Sequence, residues 1–109
     1  MNTTRRCFRL AAGVALLASG LAQAGGMEVI KISAKNFMFS PATITVKAGS
    51  TVTWTNLDEE PHTVFSDAGL FRSGALDTQD SFSFTFDKPG TYHYLCTIHP
   101  KMLGTVVVE

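Results

Sequence analysis

Residues 82–102 read FSFTFDKPGTYHYLCTIHPKM, and both the fold and the chemistry of the chain turn on them. Phe82, Phe84 and Phe86 alternate with Ser83 and Thr85. A period of two puts the rings on one face and the hydroxyls on the other, the pattern of a strand with one buried and one wet face. Asp87-Lys88-Pro89-Gly90 interrupts the pattern with turn residues. Thr91 to Cys96 then makes a return strand, with Tyr92 and Tyr94 sharing a face. Beyond Cys96 the alternation stops, and Pro100 has no N–H for a ladder hydrogen bond. Cysteine, histidine and methionine therefore stand at i, i+3 and i+6 where a strand gives way to a loop, and a loop can curl three side chains toward one point.

Working outward, the rest of the chain reads the same way. Val29, Ile30 and Ile32 mark a first strand ending near Ala34, and Phe37-Met38-Phe39 a short one stopped by Pro41. Ile44 and Val46 alternate with Thr45 and Lys47, and Lys47-Ala48-Gly49-Ser50 is a turn. Val52 and Trp54 alternate with Thr51, Thr53 and Thr55; His62 to Phe65 is a further short strand, and Thr105 to Glu109 the last. Ser66 to Asp80 lacks alternation and reads as a long surface loop with room for a helical turn. Many short alternating strands punctuated by glycine and proline predict an all-β sandwich or barrel. There is no internal repeat and no low-complexity segment.

The N-terminus has a different character. Arg5, Arg6 and Arg9 precede an apolar run from Leu10 to Leu21, followed by Ala22-Gln23-Ala24. Basic start, apolar stretch and small-residue cleavage site predict a secretory signal peptide over residues 1–24, with a mature domain over 25–109 in the periplasm. Thr4-Arg5-Arg6-Cys7-Phe8 also resembles a twin-arginine export signal. The apolar run is short for a membrane span, so none is expected in the mature form. Past residue 24 there are six basic and nine acidic residues, a net charge of about −3. No basic stripe remains, which argues against nucleic acid as a partner. Cys7 leaves with the signal, so Cys96 is the single mature cysteine and cannot form a disulfide within its chain.

Thiolate, imidazole and thioether together select copper: soft sulfur suits Cu(I), and imidazole suits both oxidation states. Methionine is a poor ligand for zinc. Two histidines and a cysteine with a weak axial methionine make a blue-copper site, so Cys96, His99 and Met102 need a second histidine. The chain has three histidines. His62, at the start of a short strand, is the natural choice. His93 is the other candidate, but alternation turns it away from Tyr92, Tyr94 and Cys96, as a surface residue.

These residues resemble the cupredoxins, or blue copper proteins, and among them the amicyanins. The resemblance runs from about Val29 to Glu109. It is carried by Val52-Thr53-Trp54-Thr55-Asn56, Pro61-His62, the stretch from Pro89 to Met102, and Gly104-Thr105-Val106-Val107-Val108-Glu109. The two-residue gap between His99 and Met102 is the amicyanin spacing. The resemblance implies a Greek-key β-sandwich of about seven to eight strands, and one copper ion held by His62, Cys96, His99 and Met102. It implies that Asn56 braces the copper loop, and that electrons leave near His99 through an apolar patch. Pro61, Ile98 and Pro100 are candidates for that patch, with Phe37 or Met38. Thr63 stands where an asparagine is frequent and Ile98 where amicyanins have proline; neither is expected to touch a ligand.

A site with four protein ligands and no open position suits electron transfer better than catalysis. The chain is therefore expected to be a monomeric, non-enzymatic carrier of single electrons between transient protein partners, a c-type cytochrome and a dehydrogenase by resemblance. A periplasmic copper carrier or copper-tolerance protein is the alternative. It would want an exchangeable site and extra Met or His, and no Met- or His-rich tail is present. A copper oxidase or nitrite reductase would need a second copper, more histidines and a longer chain. A metal-free β-sandwich adhesion module would leave the Cys-His-Met spacing without a reason.

Overall fold

The computed structural model describes residues 29–109; the expected signal peptide, and residues 25–28 of the expected mature domain, lie outside them. Eight strands and no helix occur among the described residues: β1 (Val29–Lys35), β2 (Met38–Ser40), β3 (Thr43–Val46), β4 (Ser50–Asn56), β5 (Phe65–Ser66), β6 (Ser81–Phe86), β7 (Gly90–Leu95) and β8 (Leu103–Val108). They form two four-stranded sheets, in the orders β2-β1-β4-β6 and β3-β8-β7-β5. The β1–β4 and β3–β8 pairs are parallel and the others antiparallel. Five of the seven connections carry the chain from one sheet to the other, so the layers cannot separate without unthreading several strands. This is the β-sandwich that the alternation predicts.

Strand β4 shows why. Ser50, Val52, Trp54 and Asn56 are all buried, and Thr51, Thr53 and Thr55 point the other way. The outward hydroxyls meet those of β6 directly across the ladder: Thr51 with Thr85 at 2.8 Å, Thr53 with Ser83 at 2.7 Å and Thr55 with Ser81 at 2.8 Å. Each such cross-strand pair contributes roughly 0.2–1 kcal/mol. The inward residues meet the other sheet. Trp54, fully buried, has its ring centroid 5.3 Å from Tyr94 of β7, edge-on, and 5.6 Å from Phe71, stacked. Ile32, Phe39, Val52, Phe86, Val106 and Val108 complete a core continuous with Cys96 and Met102. Gly104 of β8 lies opposite Tyr94, and the tyrosine ring occupies the space a Cβ there would need.

Two expectations need correction. The Ser66–Asp80 segment is more than a surface loop, and it contains no helical turn. Phe71 and Leu76 are buried in the core, and Ser66 and Ser73 are buried too. Their backbones pair with the short strand region: Ser66 N–H donates to Phe71 O at 2.9 Å and Ser73 N–H to Val64 O at 2.8 Å. The expected strand from His62 to Phe65 is correspondingly reduced. Only Phe65–Ser66 pairs with β7, and His62 makes an isolated bridge with Leu76. The loop supplies the hydrogen bonds that a longer neighbouring strand would otherwise supply.

Candidate metal centre

At one end of the sandwich, two chain segments meet. The first follows β4. Asn56, fully buried, donates from Nδ2 to Glu60 O and Leu76 O, both at 2.8 Å, and accepts the Asp58 N–H on Oδ1 at 2.8 Å. These bonds hold residues 57–61 in a tight bend that delivers His62. Its backbone is pinned by reciprocal bonds with Leu76, of 3.1 and 2.7 Å. Its ring is fully buried. Asn56 thus braces the approach to His62, and none of its hydrogen bonds reaches the Cys96–Met102 loop, contrary to the role the resemblance implied.

The second segment is that loop. Cys96 closes it with an N–H bond to Met102 O at 3.1 Å, and Met102 N–H donates to His99 O at 2.9 Å. The loop is thereby cinched at both levels, with Cys96 and Met102 buried and His99 half-buried at its tip. Cys96 Sγ lies 3.8 Å from His62 Nδ1 and 3.9 Å from His99 Nδ1, and the two Nδ1 atoms are 3.2 Å apart. His62, Cys96 and His99 are the one group of three or more such donors brought together among the described residues. His93 is elsewhere: it is exposed, and its Nδ1 is 3.1 Å from Thr105 Oγ1.

The donor set fits a metal ion. A point equidistant from a triangle with sides of 3.2, 3.8 and 3.9 Å lies about 2.1 Å from each corner, and first-row metal bonds to imidazole and thiolate run at about 2.0–2.3 Å. Electrostatics prepares the sulfur. Burial alone would push the Cys96 thiol up, but the N–H groups of Thr63 and His99 and the two imidazoles outweigh it and bring the pKa down to about 6. That shift favours the thiolate, which is the ligand form, at neutral pH.

Two residues of the site, Thr63 and Asp58, were not anticipated, and a third, Phe37, was expected only as a candidate for the apolar patch. Thr63 does touch a ligand: its N–H donates to Cys96 Sγ at 3.4 Å and its hydroxyl lies 3.8 Å from the same atom. That hydroxyl also accepts the Thr97 N–H at 2.8 Å, tying the two segments together. Asp58 Oδ2 is 2.8 Å from His62 Nε2. Burial pushes the Asp58 carboxyl up, but N–H bonds from Phe37 and Asn36 and the His62 ring hold it below its ordinary range. Phe37 packs edge-on against both imidazoles, with centroids 5.5 Å from His62 and 4.8 Å from His99. Around His99 the surface is apolar: Phe37, Met38, Ile98 and Pro100 are exposed, and Pro61 is half-buried.

A family model described as a cupredoxin-like domain matches residues 8–108. The chain is 44% identical over 105 residues to amicyanin-alpha of Methylorubrum extorquens, covering 92% of this chain and 85% of that one. It is 36% identical over 114 residues to the chloroplastic plastocyanin of Tetradesmus obliquus, covering 91% and 79%. Among solved structures, a Cu(I) form of an amicyanin variant superposes with a TM-score of 0.71 at 35% identity, covering 74% of this chain and 82% of the other.

Proposed function

The chain belongs to the cupredoxin-like family, and from that premise we propose that it is a type 1 copper electron-transfer protein. It holds one copper ion with His62, Cys96, His99 and Met102 and passes single electrons between periplasmic redox partners. The observation that carries this reading is the convergence of His62 Nδ1, Cys96 Sγ and His99 Nδ1 on one another. Met102 adds a thioether from a buried position on the same loop. Bound copper supplies a one-electron couple between its +1 and +2 states.

The protein's own contribution is rigidity and access. His62 is fixed by Asp58 and Leu76, and Cys96 by Thr63 and Met102 O, so the donors move little when the charge at the centre changes. His99 alone among the four reaches the surface, within the apolar rim of Phe37, Ile98 and Pro100. A small apolar surface suits transient redox contacts, which sit at the low end of interface size. Such partners are of the c-type cytochrome and dehydrogenase classes. Periplasmic location is supported by the basic start, apolar run and Ala22-Gln23-Ala24 of the N-terminus. Burial of three of the four ligands argues against the copper-carrier alternative, which needs ready exchange.

The test is to load the mature chain with copper and record the visible spectrum. One equivalent should give an intense blue colour from charge donation by the Cys96 thiolate. Cys96→Ala should abolish the band and His93→Ala should leave it unchanged. A Cys96→Ala protein that stays equally blue, or a His93→Ala protein that loses the colour, would overturn the assignment.

A further inference from the structure

We infer that Asp58 is a positioning residue for the metal centre, holding His62 in its metal-binding tautomer and fastening the Asn36–Phe37 turn against both imidazoles. This rests on the copper reading above and adds to it a residue outside the ligand set.

Asp58 has two carboxylate oxygens and three donors. Oδ1 accepts the Asn36 N–H at 2.7 Å; Oδ2 accepts the Phe37 N–H at 3.0 Å and faces His62 Nε2 at 2.8 Å. An ionised carboxylate only accepts. The proton of neutral His62 is therefore drawn to Nε2, and the lone pair is left on Nδ1, the atom that faces Cys96 and His99. The partner of the non-ligating nitrogen decides which ring nitrogen can bind metal.

The same carboxylate holds a strained turn. Asn36 and Phe37 have φ of 55° and 60°, a left-handed conformation that non-glycine residues adopt at a cost. Two N–H bonds to Asp58 offset that cost, and the turn presents the Phe37 ring edge-on to His62 and His99, at interplanar angles of 90° and 81°. Asp58 is itself held from behind, by Asn56 Oδ1 on its N–H and by the Thr78 hydroxyl on its carbonyl, at 2.8 and 2.7 Å. With its side chain 13% exposed, it puts a fixed negative charge one imidazole ring from the metal position. That charge favours the more positive oxidation state.

The experiment uses the full mature chain and Asp58→Asn. The amide has one acceptor oxygen for three donors, and its NH2 group must face at least one of them. The preference for Cu(II) over Cu(I) should fall on the order of tenfold, read as a potential raised by about 59 mV. Asp58→Glu, which keeps the charge, should recover most of that shift. NMR of 15N-labelled histidine is the second readout. In the metal-free wild type the proton of His62 should sit on Nε2 and resist exchange, and in Asp58→Asn it should lose that protection. An unchanged potential in Asp58→Asn would overturn the inference. So would a His62 proton on Nδ1 in the metal-free wild type, a result that needs neither a folded variant nor bound copper. Failure to bind copper at all would instead sink the functional reading, and the metal-free NMR result would still decide the role of Asp58.

Discussion

Replacing Gly104 with alanine should destabilise the protein through a single clash. The added Cβ would fall onto the Tyr94 ring, 2.6 Å from Cε2 and closer still at Cζ and the hydroxyl oxygen. Carbon contacts become favourable only at about 3.5 Å, so the ring would have to retreat by roughly 1.4 Å at its nearest carbon. It has nowhere to go: Tyr94 is 1% exposed, with Phe39 at 4.8 Å on one side and fully buried Trp54 at 5.3 Å on another. Overpacking of this kind costs about 3 kcal/mol. Alanine's conformational advantage over glycine within a strand returns roughly 0.5–1 kcal/mol. The net loss of about 2 kcal/mol corresponds to a fall in Tm of roughly 8–16 °C for a domain of this size. Thermal and urea unfolding of the metal-free protein would measure it. In a Tyr94→Leu background the penalty should shrink by about 1 kcal/mol or more, because the two residues share one space. A Gly104→Ala protein within about 0.5 kcal/mol of wild type, the range of an ordinary surface change, or the same penalty with and without the tyrosine ring, would refute the reasoning.

Met102→Leu, a near-volume-conserving change, should leave a blue protein with a potential raised by about 59 mV for each tenfold loss in Cu(II) preference; one to two such steps are expected, and a lowered potential would contradict an axial role. In the metal-free protein, ultraviolet thiolate absorption should titrate near pH 6, where the Cys96 pKa lies, against an ordinary value of 9.0. Because the folded pKa is the lower one, the thiolate's contribution to stability is complete above pH 9.0 and lost as pH falls through about 6. A thiolate midpoint at the ordinary value would remove the argument for a prepared ligand.

The legible parts of this chain are those written in short-range pattern. Trp54 between Thr53 and Thr55, and Phe84 between Ser83 and Thr85, announce strands with two unlike faces, and the sandwich follows from pairing such faces. Cys96, His99 and Met102 lie within seven residues, so their spacing alone points to a metal. His62 required a chemical argument, and the exclusion of His93 required the period of two. What could not be read depends on contacts across long separations. Asp58 opens the run Asp58-Glu59-Glu60, which reads as solvated charge until the Asn36–Phe37 turn is seen to donate into it. Thr63 reaches Cys96 only because residues 33 apart are brought together. Phe71 follows Leu70 and Leu76 follows Ala75, and an isolated apolar pair carries no periodicity to show which of its members enters the core.

Three of the proposed ligands are neighbours in sequence, while His62 arrives from 34 residues before Cys96. An unfolded chain already owns the Cys96–Met102 segment, so copper can be captured before the two sheets close. Any metal held by the unfolded chain subtracts from the stabilisation that binding to the native state provides. The gain in unfolding free energy on adding copper therefore measures chiefly the late arrival of His62 and the burial that follows it. It will fall short of the total native affinity, and His62→Gly should abolish most of that gain while the loop still takes up metal.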